Sequence, residues 1–95
     1  MFLHIVKAKY LEDYRIEVVF SDGRKGVADL AEALQGSVFE SLKDKSEFSK
    51  LTVDEELETV VWANGADLAP EYIYFQAFKN ESELQLQFKQ WGYIA

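Results

Sequence analysis

The sequence has no cysteine. That removes disulfides, thiolate metal sites and cysteine nucleophiles together, and nothing in the chain calls for an oxidising compartment. A reducing cytoplasm is the expected location. There is a single histidine, His4, with no serine motif to pair with it, so no catalytic triad can be assembled. One imidazole without thiolates leaves only carboxylates for a metal. The acidic run Asp54, Glu55, Glu56 and Glu58 lacks the spacing and central glycine of a calcium loop, and reads as a solvated turn. No stretch approaches the roughly 20 apolar residues of a membrane span. Residues 1–7 lack the basic region that precedes the apolar run of a secretory signal. Positive charge is also short, with 10 Lys and Arg against 17 Asp and Glu and a net charge of −7. The basic residues are scattered singly or in pairs, which argues against direct binding of nucleic acid by this chain. The same charge attracts a basic partner, or simply keeps the chain soluble. Asp22-Gly23 and Asn64-Gly65 lack the glycine pattern of a phosphate loop and read as turns. No cofactor motif is present.

What the chain has is apolar material. Of its 95 residues 48% are hydrophobic and 15% aromatic, enough to exclude disorder and to build one domain over residues 1–95 with a thin core. Residues 2–11 are extended in character. From Tyr14 to Phe20 the chain alternates, so that Tyr14, Ile16, Val18 and Phe20 share a buried face. Placing Val6, Ala8 and Tyr10 on that face requires an odd-numbered turn around residues 11–13, with Lys7 opposite Glu17 and His4 opposite Phe20. Asp22-Gly23 is a hairpin signal for a tight primed turn, and a third strand follows through residues 25–28.

Asp29 and Glu32 form the start signal of a short helix that Gly36 stops, and further starts recur at Ser37 and Ser46. Residues 29–50 are thus a broken helical stretch that offers Leu30, Leu34, Phe39, Leu42 and Phe48 to the sheet. A second hairpin runs from residues 51–53 through residues 54–56 to residues 59–62, ending at Asn64-Gly65. Pro70 opens a helix over residues 70–79, with Asp67 and Glu71 near its positive end. Residues 83–91 fit a strand through Leu84, Leu86 and Phe88, or a helix through Leu84, Phe88 and Trp91. Ser82 as a cap and Gly92 as a stop favour the helix. The fold class is α+β, two β-hairpins making a small, mainly antiparallel sheet covered by short helices, with helices at the C-terminal end.

The helix from Pro70 is apolar over most of its circumference. Ile73, Tyr74, Ala77 and Phe78 share one face while Tyr72 and Phe75 point elsewhere, so it needs two covers. The sheet is one. The other is the C-terminal segment with Leu84, Phe88, Trp91 and Tyr93, or another chain. Trp and Tyr beyond core need are residue types enriched where proteins meet.

An ordered set of residues also resembles the bacterial domain-of-unknown-function family 2442. It runs through Asp13-Tyr14, Asp22-Gly23, Asp29-Leu30, Gly36, Phe39, Leu42 and Phe48 to the segment of residues 62–71, Trp-Ala-Asn-Gly-Ala-Asp-Leu-Ala-Pro-Glu. The closing Trp91-Gly92-Tyr93-Ile94 is similar to a tail found in one branch of that family. Two positions depart from the pattern, Glu58 where the family often has glycine and Ala63 where it often has proline. Both fall in a turn or at a strand edge, so they leave the fold assignment intact. The resemblance implies an α+β fold and no established activity, cofactor or site residue. Members are often encoded beside a second small protein, in an arrangement similar to a toxin–antitoxin pair. Some longer members carry a separate DNA-binding segment, for which no room is expected in this chain.

Three functions follow as expectations. The first is a non-catalytic protein-interaction module, antitoxin-like or regulatory, that binds a small basic protein through Trp62, Tyr72, Phe75, Trp91 and Tyr93. Asp22, Gly23, Asp29, Gly36, Asn64, Gly65, Asp67 and Pro70 would then be turn and cap residues only. The second is a small-molecule binder or minor enzyme with a carboxylate site at Asp67 and Glu71. The third is a self-associating accessory protein.

Overall fold

A computed structural model describes residues 3–95. The expected strand start at Phe2 lies outside them. The fold is α+β. Strands β1 (Ile5–Glu12), β2 (Arg15–Phe20) and β3 (Lys25–Asp29) form an antiparallel meander in the order β1-β2-β3. Strands β4 (Thr52–Asp54) and β5 (Thr59–Val61) form a second, two-stranded sheet. The two hairpins therefore do not merge into a single sheet; a backbone bond from Ile5 N–H to Glu58 C=O at 2.9 Å joins them instead.

Alternation in β2 holds, with Ile16, Val18 and Phe20 buried. Ala8 and Tyr10 share that face, opposite Val18 and Ile16, but the register lies two residues from the expected one. Lys9 opposes Glu17, Lys7 opposes Val19, and Ile5 opposes Phe20. Two irregularities explain the difference. The ladder shifts between Tyr10 and Glu12, so an even turn at Asp13-Tyr14 plus one extra residue does the work of the odd turn. It shifts again between Ile5 and Lys7, and that bulge turns Val6 outward, 50% exposed, while Ile5 is buried. Tyr14 leaves the strand for the turn. Its ring still packs edge-on against Phe48 at 5.3 Å, and its hydroxyl donates to the Lys43 carbonyl. At the same turn Lys45 bonds Asp13 at 2.9 Å and holds that carboxyl below the usual carboxylate range.

The β2–β3 turn is not of the primed type. Phe20 N–H bonds Arg24 C=O across three loop residues, and in this turn only Gly23 has positive φ, at 88°. The Asp22 carboxylate accepts Arg24 N–H at 2.9 Å. The turn after β5 repeats this design: Trp62 N–H bonds Ala66 C=O, Asn64 accepts Ala66 N–H at 3.0 Å, and Gly65 has φ 90°. Three-residue loops of this kind place glycine where L side chains are strained.

The helix expected from Asp29 is reduced to a 3-10 turn, Ala31–Ala33. Asp29 remains in β3, its carboxylate accepting Ala31 N–H, and Leu30 N–H continues the ladder to Tyr14 C=O. Gly36, at φ 88°, breaks the chain and begins a second 3-10 turn, Ser37–Lys43. Helix α1 (Lys45–Phe48) is capped by Asp44, which accepts Ser46 N–H at 2.9 Å, and not by Ser46 itself. Leu30, Leu34, Leu42 and Phe48 are all buried and Phe39 partly so, because burial depends on their faces and not on helical continuity.

Helix α2 (Pro70–Phe78) lies on β3 with Pro70 in its first turn. Gly26 makes the close approach possible: a Cβ there would stand 2.6 Å from the Phe78 ring. A 3-10 turn at Ser82–Leu84 leads into α3 (Gln85–Trp91), so the C-terminal segment is helical. Its start is preceded by an extended Glu81, and Ser82 provides no side-chain cap.

Glu58 occupies the left-handed region at φ 59°, a conformation that costs a residue with a Cβ about 1–2 kcal/mol. Its exposed carboxylate lies 3.6 Å from His4, a pair worth at most about 1 kcal/mol. Glu58→Gly is expected to raise stability by about 0.5–1 kcal/mol after the added unfolded-state entropy is counted. A lower urea midpoint in the variant would show that the pair outweighs the strain.

Candidate interaction surface

The tail reaches its place through a helix stop. Gly92 takes φ 86°, Gly92 N–H bonds Lys89 C=O and Tyr93 N–H bonds Phe88 C=O at 3.0 Å. This pair of bonds closes the helix and folds the next residue back along it. Tyr93 consequently stacks on Phe75, centroids 5.0 Å apart and planes 13° apart, and meets Tyr72 at 6.2 Å. Phe88 stands edge-on to Phe75 at 5.1 Å, and Trp91 packs on Tyr74 at 5.9 Å. The second cover that α2 requires is thus supplied from within the chain.

The cover is incomplete. Tyr72, Phe75, Trp91 and Tyr93 are each only partly buried and form one continuous aromatic seam along α2 and the C-terminal segment. Burial pushes the Tyr72 and Tyr93 hydroxyls above their ordinary pKa, and nearby carboxylates add to it, Glu32 beside Tyr72 and Glu71 beside Tyr93. Tyr72 also accepts a hydrogen bond from Gln76 at 3.2 Å. Trp62 does not belong to the seam. It is 4% exposed, and its indole N–H donates to Phe48 C=O at 2.9 Å. A tryptophan at the start of a tight turn was equally able to face the core, and Phe39 and Phe48 hold it there.

The turn and cap residues have further partners. Tyr74, 3% exposed, donates its hydroxyl to Asp22 at 2.7 Å. Asp22 also faces Arg24 at 3.7 Å, and Arg24 reaches Glu83 at 2.8 Å. This network ties the β2–β3 turn to α2 and to the C-terminal segment. The helix pattern placed Tyr74 on the core face, but no local signal links it to a carboxylate 52 residues away. Asn64 donates to Val38 C=O at 2.8 Å and to the Ser41 hydroxyl at 3.1 Å, pinning the turn onto the broken helical stretch.

Asp67 and Glu71 serve separate ends. Asp67 bridges Val61 through its backbone while the residue is exposed, and Glu71 sits in the first turn of α2. Among the clefts lined by described residues, one of about 190 Å³ is bordered by His4, Val6, Val53, Asp54, Glu55 and Glu58 among others, and one of about 50 Å³ lies beside Trp62 and Asn64. Neither is lined by Asp67 or Glu71. Among the described residues no group of three or more His, Asp or Glu is arranged to hold a metal ion, and no helix is long and apolar enough to cross a membrane.

The fold and seam define a small α+β domain with a preformed aromatic surface and no described cluster of metal ligands. Residues 5–79 match the model of the family DUF2442, described as a protein of unknown function, and the chain belongs to that family. Among solved structures it is similar to the crystal structure of NE0471 from Nitrosomonas europaea, a proposed DNA-binding protein, with a TM-score of 0.74 at 16% identity. The likeness covers 99% of this chain and 63% of that one, so this chain spans less than two thirds of its structural neighbour. At that identity it is a likeness of fold. No curated protein matches the chain.

Proposed function

We propose that the chain is a non-catalytic protein-interaction module that docks a small basic protein on the seam of Tyr72, Phe75, Trp91 and Tyr93. The observation that carries this reading is the combination of packed, partly buried rings with acidic neighbours. The rings are held in place by one another, so little side-chain freedom remains to be lost on binding. Glu32 and Glu71 lie beside them, and the chain as a whole carries −7, which steers a basic partner toward the surface. An antitoxin-like role is consistent with this, since such a protein acts by covering a partner. The DNA binding proposed for NE0471 does not carry over readily to a chain of this charge, because phosphate backbones repel it.

The test is affinity purification of the tagged chain from a cytoplasmic extract of its own host, with mass spectrometry of whatever co-elutes in stoichiometric amount. One small basic protein is expected. Tyr93→Ala combined with Glu71→Lys should weaken that complex by roughly 30-fold or more, as expected for an aromatic anchor with its acidic neighbour. An unchanged affinity would move the interface elsewhere, and a solitary protein would sink the reading.

A further inference from the structure

Helix α2 ends at Phe78, and the next helical turn begins at Ser82. Lys79 retains helical dihedrals, φ −59° and ψ −19°, whereas Glu81 is extended at φ −77° and ψ 117°. From Ser82 to Trp91 the chain is helical again. Residues 71–91 contain neither glycine nor proline, so nothing in the stretch forbids one continuous helix. Turning Glu81 into the helical region, with the 3-10 turn of residues 82–84 relaxing to α geometry, would fuse α2 and α3 into a helix over residues 70–91, about 33 Å long at 1.5 Å per residue. The hinge is braced in its bent form by Gln85, whose amide donates to the Lys79 and Glu81 carbonyls at 2.9 Å each. The residues matched by the family end at 79, at this same hinge.

In the straight form Phe88, Trp91 and Tyr93 leave Tyr72, Tyr74 and Phe75 uncovered, which water disfavours. A second copy carries the cover that fits them. We propose that residues 82–95 are an exchangeable arm, and that two copies pair by swapping arms so that each covers the other's α2. Every ring contact between the arm and α2 in the bent chain is remade between the two chains, including the Phe75–Tyr93 stack. The Arg24–Glu83 ion pair is complementary in the same way. Bent monomer and exchanged pair then differ only at the hinge and in the cost of association, so the pair gains with concentration. This inference does not depend on the proposed function, because it concerns what covers α2 and not what docks on the seam.

The test opposes two hinge variants. Ser82→Pro suits the first residue of a helical turn and favours the extended Glu81 already present, so it should lock the bend. Asn80→Ala with Gln85→Ala raises helix propensity and removes the brace. Light scattering over a wide concentration range should find a wild-type dimer that grows with concentration, none in Ser82→Pro, and a several-fold larger dimer fraction in the double variant. Because the chain has no cysteine, mixing copies bearing Arg24→Cys with copies bearing Glu83→Cys and adding a bifunctional thiol cross-linker long enough to replace the two side chains should give mixed cross-linked dimers in excess of either self-pair, and the excess should vanish when Ser82→Pro is added. Monomers at every concentration in all three proteins would overturn the proposal. So would a dimer that persists unchanged in Ser82→Pro, since its contact would lie on another surface.

Discussion

Trp62→Ala should cost about 3–5 kcal/mol of folding stability, the usual loss for a buried tryptophan that leaves a cavity. Against a total of about 5–15 kcal/mol for a domain of ordinary stability, that is enough to leave part of the population unfolded. The expectation rests on burial: Trp62 is 4% exposed, between Phe39 and Phe48, with its indole N–H on the Phe48 carbonyl. Trp62→Phe keeps most of the apolar area and isolates the hydrogen bond, whose loss leaves a buried carbonyl at about 1–3 kcal/mol. Urea unfolding of the two variants separates cavity from hydrogen bond. A Trp62→Ala chain within about 1 kcal/mol of wild type would contradict the packing described here. If such a chain also failed to bind a partner, the tryptophan would return to the interaction surface.

Stability should fall between about pH 10 and pH 12 by about 2–3 kcal/mol more in the wild type than in Tyr74→Phe. Burial, and then the hydrogen bond to the Asp22 carboxylate, push the Tyr74 hydroxyl from 10.0 up to about 12. Below the unfolded value both states keep the proton, and the contribution is fully present. Above it the unfolded chain releases its proton while the folded chain holds on, so unfolding gains and stability drops until the folded group ionises as well. Urea midpoints measured from pH 8 upward for both proteins report the difference directly, because other tyrosines and lysines titrate in both. Parallel curves would mean that the Tyr74 hydroxyl is not buried against Asp22.

Much of the architecture was legible because it is written in local patterns. The alternation of Ile16, Val18 and Phe20, the Asp-Gly and Asn-Gly turns, Pro70 and Gly92 each act within a few residues, and each element formed where its signal stood. The register of β1 was not legible. Ile5 and Val6 are both apolar, so a period of two cannot say which faces inward; the bulge at Val6, between Ile5 and Lys7, decides, and it answers to Phe20 across the ladder and Glu58 beyond it. The same limit applies to the helix expected from Asp29. Its start signal is genuine, but Leu30 N–H is drawn to Tyr14 C=O, and a strand bond cannot be read from a helix cap.

The candidate site divides along the same line. Tyr72, Phe75, Trp91 and Tyr93 could be singled out because an apolar helix surface needs a second cover, whatever supplies it. Trp62 was indistinguishable from them by residue type and belongs to the core. Composition alone determined the absence of thiol chemistry, the acidic charge, and an excess of rings over what one helix face can hide. Only the tertiary structure decided which rings are hidden, because burial is a property of surfaces brought together from distant parts of the chain. It also decided that Asp22 serves Tyr74 as well as its own turn. A carboxylate and a hydroxyl 52 residues apart share no local pattern, and only packing α2 onto β3 brings them within 2.7 Å.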